Sequence, residues 1–374
     1  DRGSVAVLVN NTLDANIIKQ TSFGDDDNWS EQSITLLQDK LEYDVYERFT
    51  VINVPRVDSN LDSDDLVIKG YENETAKING NIVGSDSSVS NETRKETFEV
   101  VGNLDTNALL GESLDVYVND DNEVVYAEKS DLDYTAFYAS IDNESDFANK
   151  ELTLFKTDGS DDDYDMADEF SLFIDNSEIT SADLTGESGS DNDLDDFVSA
   201  DYNVFGKVVL DGQGNVKLLD LVEWNTPEGQ VVTEVDDDYI DFVVNSSTED
   251  RLESDDYDAY VIKDADGNSM EWSDIQVDDV IYMSNAENQS TEDDTAYITV
   301  ISDSFEGELD FYKADKEVSI NDTDYDLSLE ATVSSDNNDE ITTFASSGNT
   351  GYADDLTAAD ANVTALYNIT KDVR

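Results

Sequence analysis

The chain contains no cysteine and no histidine. It therefore forms no disulfide bond and carries no thiol nucleophile, no Cys/His zinc site and no Ser-His-Asp triad. No apolar stretch reaches the 18 residues that a membrane-spanning helix needs. Glycoside hydrolysis needs only two carboxylates and stays open. However, Trp29, Trp224 and Trp272 lie in or near strands or turns, which favours core filling or module junctions over a catalytic cleft, so we predict no enzymatic activity.

Basic residues are scarce as well, with 20 Lys and Arg against 91 Asp and Glu, for a formal net charge of -71. Phosphate binding needs clustered Lys and Arg, so nucleic acid and anionic membrane surfaces are excluded as partners. Self-repulsion at this charge destabilises the compact state when salt is low. The Debye length falls from about 10 Å at 0.1 M salt to about 3 Å at 1 M. We interpret the chain as adapted to concentrated salt or to divalent cations.

The apolar residues, 38% of the chain, fall in short runs rather than being scattered, which argues against an acidic disordered chain. From about residue 44 the pattern alternates with period two, and clusters of Asp, Asn, Gly and Ser separate the runs. Turn residues that tolerate positive φ predict three β-hairpins. These hairpins pair residues 114–118 with 124–127, 207–210 with 216–221, and 257–263 with 269–272.

The first part of the chain has a different pattern. Val5, Leu8, Val9 and Leu13 follow the spacing of one helix face, and a second short helix is predicted over residues 33–41. We therefore predict a mainly β fold of tandem small β modules, sandwich or barrel-like, after a short N-terminal helical segment. The predicted boundaries are 1–43 for the helical segment and 44–130, 131–225, 226–305 and 306–374 for four β modules.

A weak internal repeat supports the tandem arrangement. Residues 229–242 and 307–320 both show a glycine, a strand, a polar turn and a second strand. An Asp-Asp pair then enters an apolar strand at 278–282, with a looser echo at 358–363. The spacing indicates modules of about 80 residues.

Residues 1–13 resemble the closing helix of an S-layer homology module, in which Arg2 matches the arginine of the module's motif while Gly3 and Ser4 depart from it. The remainder is similar to the β-rich body that follows such modules in S-layer proteins, through the phrases at 109–118, 205–211 and 318–327. The resemblance implies binding of cell-wall polysaccharide through modules upstream of this chain. The chain begins at Asp1 rather than Met, which suggests a processed product or a fragment.

These observations predict a structural protein of the cell surface or cell wall, located outside the cell, in a salt-adapted microbe. Its subunits would assemble as a homo-oligomer into an S-layer lattice or an extracellular filament. The alternative is a surface adhesin or a carbohydrate-binding stalk, which would need an exposed aromatic platform on one module.

Clustered carboxylates are candidate ligands for Ca²⁺, which takes six to eight oxygen ligands. None of the clusters has the spacing of an EF-hand, and the alternative for each is a solvated loop. The candidate ligands form three groups: Asp25, Asp26 and Asp27; Asp161, Asp162, Asp163 and Asp165; and Asp264, Asp266 and Asn268.

Residues 205–221 form the least acidic stretch with strong β character. Because charge-poor strands are prone to pair at an edge, we predict that the module with Phe205, Val208 and Leu210 contributes to a module or subunit interface. On that hypothesis either Val208 or Val209 faces outward. The alternative is that these residues are core strands of their own module.

Overall fold

The computed structural model describes residues 16–20, 29–36, 42–83, 94–102, 104–132, 136–141, 151–158, 160–179, 204–224, 229–245, 248–313, 317–321, 323–326, 332–333, 342–343 and 361–366. The described chain is mainly β, as predicted. It divides into two compact units, one containing residues 1–135 and the other most of the remainder. No helix in the described ranges is long and apolar enough to cross a membrane.

The chain begins with a two-stranded sheet, in which β1 (Asn16–Gln20) pairs antiparallel with β2 (Trp29–Thr35). The predicted start of the second helix at Ser33 is wrong, since Ser33, Ile34 and Thr35 are the last three residues of strand β2. Ile34 and Thr35 are β-branched and favour the strand. The first predicted helix, at 1–13, lies outside the described residues, so the helical segment is not confirmed.

The first barrel lies in the first unit and is built from seven strands: β3 (Asp44–Asn53), β4 (Asp65–Gly70), β5 (Lys77–Ile78), β6 (Asn81–Ile82), β7 (Arg94–Val100), β8 (Ser113–Val118) and β9 (Glu123–Lys129). Five of these close a ring in the order β3-β4-β7-β9-β8 and back to β3, with β7 and β9 parallel. The β5-β6 hairpin extends β3. Inside the ring, the Tyr46 ring makes edge contacts with Phe49 and Phe98, at centroid distances of 5.3 and 5.1 Å.

The predicted hairpin over 114–127 is confirmed as β8 and β9. Its turn is held by Asn119, whose side-chain oxygen accepts hydrogen bonds from the backbone N–H groups of Asp121 and Glu123. Asn122 takes a positive φ of 67° there. Asparagine tolerates that conformation, which is why turn chemistry identified this hairpin.

The second barrel repeats this plan with six strands: β10 (Ala136–Ile141), β11 (Glu151–Lys156), β12 (Asp161–Ile174), β13 (Ser177–Ile179), β14 (Val204–Leu210) and β15 (Val216–Glu223). The ring runs β10-β11-β12-β15-β14 and back to β10, with β12 and β15 parallel. The hairpin predicted over residues 207–221 thus corresponds to the neighbouring strands β14 and β15. Strand β13 extends β12 as a hairpin.

The third barrel has seven strands: β16 (Gln230–Val235), β17 (Tyr239–Asn245), β18 (Thr248–Glu253), β19 (Ala259–Asp264), β20 (Ser269–Met270), β21 (Val280–Glu287) and β22 (Asp294–Ile301). They are ordered β18-β17-β16-β21-β22-β19-β20, and β19 is parallel to β22. Here the third strand of the plan is split, because β18 pairs with β17 while β19 pairs with β22. The intervening residues 254–258 include three aspartates, which are depleted in strands. The predicted hairpin over 257–272 is confirmed as β19 and β20.

All three barrels therefore share the strand order 1-2-3-5-4-1 with positions 3 and 5 parallel, which is the order of an OB-fold barrel. A 3-10 turn precedes the fourth position in the first and third barrels, at Thr106–Leu109 and Trp272–Asp274. One strand plan thus recurs along the chain, with its variations at the third position.

A four-stranded sheet starts the same plan again. It contains β23 (Ser304–Lys313), β24 (Glu317–Ile320) and β25 (Thr323–Asp326), then β28 (Ala361–Leu366) after a small hairpin of β26 (Thr332–Val333) and β27 (Thr342–Thr343). Its order is β25-β24-β23-β28. The weak sequence repeat falls on matching strands, since β16, β17 and β21 correspond to β23, β24 and β28.

Strand β14 is buried along its whole length, which corrects the expectation that either Val208 or Val209 faces outward. Both valines have no exposed surface. Gly206 permits this packing, because a Cβ there would lie 2.1 Å from the carbonyl oxygen of Asp220 on β15. The charge-poor stretch thus reflects burial on both faces of one strand.

Candidate functional site: the joint between the second and third barrels

The second and third barrels, which lie in the same unit, meet through an aromatic stack. The Trp224 ring lies 5.0 Å from the Phe205 ring and 4.1 Å from the Tyr282 ring, centroid to centroid. These three side chains are 2%, 2% and 0% exposed. Val280 and Ile301 complete the cluster. Phe205, singled out in the sequence as an interface candidate, thus packs against residues of the next barrel.

A hairpin of the second barrel reaches into the third. Asp175 and Asn176 form the two-residue turn between β12 and β13, with φ values of 48° and 61°. Two consecutive positive φ values are typical of a type I′ turn, for which Asp and Asn are favoured. Asn176 is 2% exposed, and its amide donates to the Tyr297 hydroxyl at 2.9 Å and to the Glu287 carbonyl at 3.3 Å. The turn is therefore anchored on β21 and β22.

The Asp175 carboxylate completes this anchor. One of its oxygens accepts hydrogen bonds from the Ser284 hydroxyl at 3.1 Å and from the backbone N–H of Glu223 at 3.0 Å. Burial raises the pKa of the Asp175 carboxyl, and the two donated hydrogen bonds oppose that rise. The nearby charge of Glu223 raises the pKa further. The ionised form of the Asp175 carboxyl is thus disfavoured by its burial in this joint.

The corresponding hairpin of the third barrel contacts the second barrel. The turn between β19 and β20 brings Gly267 against the Tyr138 ring of β10, so closely that a Cβ at Gly267 would lie 1.9 Å from a ring carbon. Lys263 donates from its ammonium group to the Tyr138 hydroxyl at 3.1 Å. The two barrels therefore exchange equivalent hairpins across one joint, each anchored by an aromatic hydroxyl of the other.

A close backbone approach tightens the same joint. A Cβ at Gly229, just before β16, would lie 2.3 Å from a Val280 methyl group and 2.9 Å from the Tyr282 ring. A side chain at this position would displace the aromatic stack. Glycine is therefore required at this position for packing.

Of the residues predicted as metal ligands in this turn, Asp264 has a structural role. The Asp264 carboxylate accepts hydrogen bonds from the backbone N–H groups of Asp266 and Asn268 and from the Asn268 side-chain amide, at 2.8–3.0 Å. These bonds close the turn that places Gly267 at the joint. The Asp-x-Asp-Gly-Asn pattern thus forms a compact turn.

The second predicted cluster lies along the start of β12. Asp161, Asp162, Asp163 and Asp165 are exposed, with Asp161, Asp163 and Asp165 on one face of the strand and Asp162 on the other. Asp162 forms an ion pair with Lys156, and its hydrogen bond is the main cause that raises the pKa of the Lys156 ammonium group. Asp163 accepts a hydrogen bond from the Thr153 hydroxyl at 2.8 Å.

The third predicted cluster, Asp25, Asp26 and Asp27, lies outside the described residues. Within the described ranges, no group of three or more acidic side chains is arranged to hold a metal ion. Calcium binding remains a prediction from composition and spacing.

Sequence reasoning missed Asp175, Asn176, Ser284, Tyr138 and Tyr297 as joint residues. An Asp-Asn pair between two apolar runs is a hairpin signal, but nothing in it indicates where the turn docks. The chain matches no protein-family model and no curated protein.

Proposed function

We propose that the chain is the structural body of a self-assembling cell-surface protein, which forms an S-layer lattice or an extracellular filament in a salt-adapted microbe. The observation that carries this proposal is the joint. A ligand-binding module needs one barrel, whereas this chain repeats a barrel plan and locks two copies together by exchanged hairpins and a buried aromatic stack.

The charge distribution supports the same function. The joint is built from aromatic and aliphatic side chains with few charges, while most of the 91 acidic residues of the chain remain for other surfaces. Subunits with a net charge of -71 repel one another at low salt. Assembly would then follow screening by concentrated salt or bridging by Ca²⁺.

Negative-stain imaging of the purified chain across a series of NaCl and CaCl₂ concentrations tests the proposal. We expect ordered sheets or fibres to appear as either salt increases. A chain that stays monomeric in light scattering at every concentration would contradict it.

The stiffness of the joint is tested with a matched pair of variants. Tyr297→Phe removes the hydroxyl that bonds Asn176, whereas Tyr126→Phe removes a hydroxyl from an exposed ring of the first barrel. We expect Tyr297→Phe to reduce the order of the assemblies while the barrels stay folded, and Tyr126→Phe to leave them unchanged. If the two variants form assemblies of the same order, lattice formation does not depend on the hydrogen bond between Tyr297 and Asn176 at the joint.

The alternative function is a surface adhesin or carbohydrate-binding stalk. A pair of half-buried aromatic side chains that line a cleft of the third barrel, Tyr260 and Trp272, favours it, since sugar rings stack on aromatic faces. A soluble monomer that binds glycans would support this alternative.

A further inference from the structure

The third barrel has an open cleft where its third strand is split. The cleft has a volume of about 800 Å³. Its walls come from the β16-β17 turn, from Ser254 just after β18, from β19, and from residues 270–273. In the second barrel one continuous strand, β12, pairs on both sides at this position. The cleft is therefore a consequence of the interruption between β18 and β19.

Two aromatic rings are fixed in this cleft. The Tyr260 and Trp272 rings meet edge to face with centroids 5.4 Å apart, and Tyr257 packs on Tyr260 in the same way at 5.8 Å. Trp272 donates its indole N–H to the carbonyl of Asp236 at 3.2 Å, and Tyr260 donates its hydroxyl to the carbonyl of Glu253 at 2.6 Å. The polar tips are thus engaged. The rings are half-buried against the core of the barrel, and their remaining surface lines the cleft, where it can make apolar or cation–π contacts.

The charges around these rings are all negative. Asp236, Asp237 and Glu271 line the cleft, are exposed, and have no basic residue beside them among the residues that line it. A cation placed against the rings would gain both from the carboxylates and from the ring faces.

The same barrel already holds one of its own cations with this set of groups. The Arg251 guanidinium lies 3.7 Å from the centroid of the Tyr239 ring and forms two hydrogen bonds with the Asp241 carboxylate, at 2.5 and 2.7 Å. Lys156 of the second barrel repeats the arrangement with the Phe137 and Tyr164 rings and with Asp162. Two cations of the described chain, Arg251 and Lys156, are thus placed where an aromatic face and a carboxylate occur together.

We propose that the cleft between β18 and β19 binds an arginine side chain presented by a partner polypeptide. The guanidinium group stacks on Trp272 or Tyr260 and pairs with the carboxylates of Asp236 and Asp237. This site goes beyond the assembly proposed above, since it would bind the arginine of any partner that displays one.

The test uses the full chain, in the salt that keeps it folded, and saturation-transfer NMR on a blocked arginine, N-acetyl-arginine methylamide. Its control ligand is the matched citrulline derivative, which has nearly the same shape without the charge. We expect the arginine derivative to bind at least about tenfold more tightly than the citrulline derivative, as a single charge-assisted interaction allows. Equal binding of the two would overturn the proposal.

Two variants locate the site. Asp237→Asn removes one carboxylate from an exposed turn without removing any described hydrogen bond of its side chain, and Trp272→Leu removes the ring. Both should weaken arginine binding several-fold, while Asp121→Asn, which removes the same charge from an exposed turn of the first barrel, should not. If all three variants bind alike, the arginine interacts with the acidic surface in general and the cleft is not its site.

A neutral sugar is the competing occupant. N-acetylglucosamine should give no saturation transfer that depends on Trp272. If it binds in a Trp272-dependent manner while the arginine derivative does not, the inference is wrong and the adhesin alternative gains support. Neither outcome bears on whether the chain assembles, because imaging tests assembly independently.

Discussion

Two tryptophans in the second unit have opposite surroundings. Trp224 is 2% exposed, stacks between Phe205 and Tyr282, and has an indole N–H without a hydrogen-bond partner within the described chain. Trp272 is half-buried against the core of the third barrel, lines a cleft together with exposed carboxylates, and donates its indole N–H to a carbonyl. The first ring is covered by another barrel, and the second lines an open cleft. One barrel plan thus places one aromatic cluster at a joint between modules and another beside a cleft.

The largest expected effect tests how salt acts on the two regions. When ionic strength falls from about 1 M to about 10 mM, the Debye length grows to about 30 Å and carboxylate repulsion reaches across a barrel. We expect the chain to lose structure, with the Trp272 emission shifting at a higher salt concentration than that of Trp224. Variants that retain one tryptophan each, with the others changed to Phe, allow the measurement.

An unchanged melting curve over this range would contradict the interpretation of the chain as salt-adapted. If the Trp224 emission shifts first instead, the joint is the weaker region and the comparison is reversed.

The next prediction compares truncations of the two rings. Trp224→Ala should lower the free energy of unfolding by about 3–5 kcal/mol, the usual cost of emptying a buried aromatic site. Trp272→Ala should cost less, about 1–2 kcal/mol, since its ring is only half-buried against the barrel core whereas the Trp224 ring is fully buried. Urea unfolding at fixed high salt gives both values. Similar losses for the two variants would mean that the cleft ring is as important for packing as the joint ring.

Most of the fold could be predicted from the sequence, because its signals are local. Period-two alternation identified the strands. Asn119 shows why hairpins could be predicted from the sequence, since its side chain accepts the hydrogen bonds that hold the turn and no distant residue is needed. The predicted start of a helix at Ser33 was wrong because it followed the leucine spacing and gave too little weight to the β-branched Ile34 and Thr35. Both lie in strand β2, where Thr35 pairs with Asn16 of β1.

The joint could not be predicted in the same way. Asn176 and Tyr297 are 121 positions apart, and neither sequence neighbourhood indicates the other. The turn at Asp264–Asn268 is a candidate calcium site by sequence because its residues are rich in oxygen ligands, although it lacks the spacing of an EF-hand; the structure shows a turn closed by hydrogen bonds to the Asp264 carboxylate. The position of Gly267 against Tyr138 follows only from tertiary packing.

A smaller effect is expected at the hairpin that anchors the joint. Burial raises the folded-state pKa of Asp175 above its ordinary value of 3.8, so its ionised form destabilises the fold at neutral pH. As pH falls through the raised pKa towards the ordinary value, protonation relieves this cost. Asp175→Asn keeps an acceptor for Ser284 and for the Glu223 N–H and suits a positive φ, so it should melt higher than the parent chain at about pH 8.

The difference between Asp175→Asn and the parent chain should narrow as pH falls from about 8 through the raised pKa of Asp175 towards its ordinary value of 3.8. Melting curves of both proteins across this range check the sign. If the variant melts at a lower temperature than the parent chain at every pH, the ionised carboxylate of Asp175 stabilises the fold despite its burial.

The smallest expected effect concerns a second unpartnered polar atom, the side-chain oxygen of Gln230. Gln230 lies at the start of β16 opposite Ile281, next to the glycine that packs on Tyr282, and is 5% exposed. Its side-chain oxygen is buried and has no hydrogen-bond partner within the described chain. A buried acceptor left unpaired costs about 1–3 kcal/mol. Methionine has nearly the same length and no such acceptor.

We therefore expect Gln230→Met to raise the free energy of unfolding by about 1 kcal/mol, measured by urea unfolding at high salt. Gln276→Met is the matched control, because Gln276 is exposed and its side chain exchanges with water in both states. The control should change stability by less than about 0.5 kcal/mol. A loss of stability in Gln230→Met alone would show that the oxygen is hydrogen-bonded in solution, for example to a buried water. The indole N–H of Trp224 would then be the unpartnered polar group that still distinguishes the joint from the cleft, where the indole N–H of Trp272 is hydrogen-bonded.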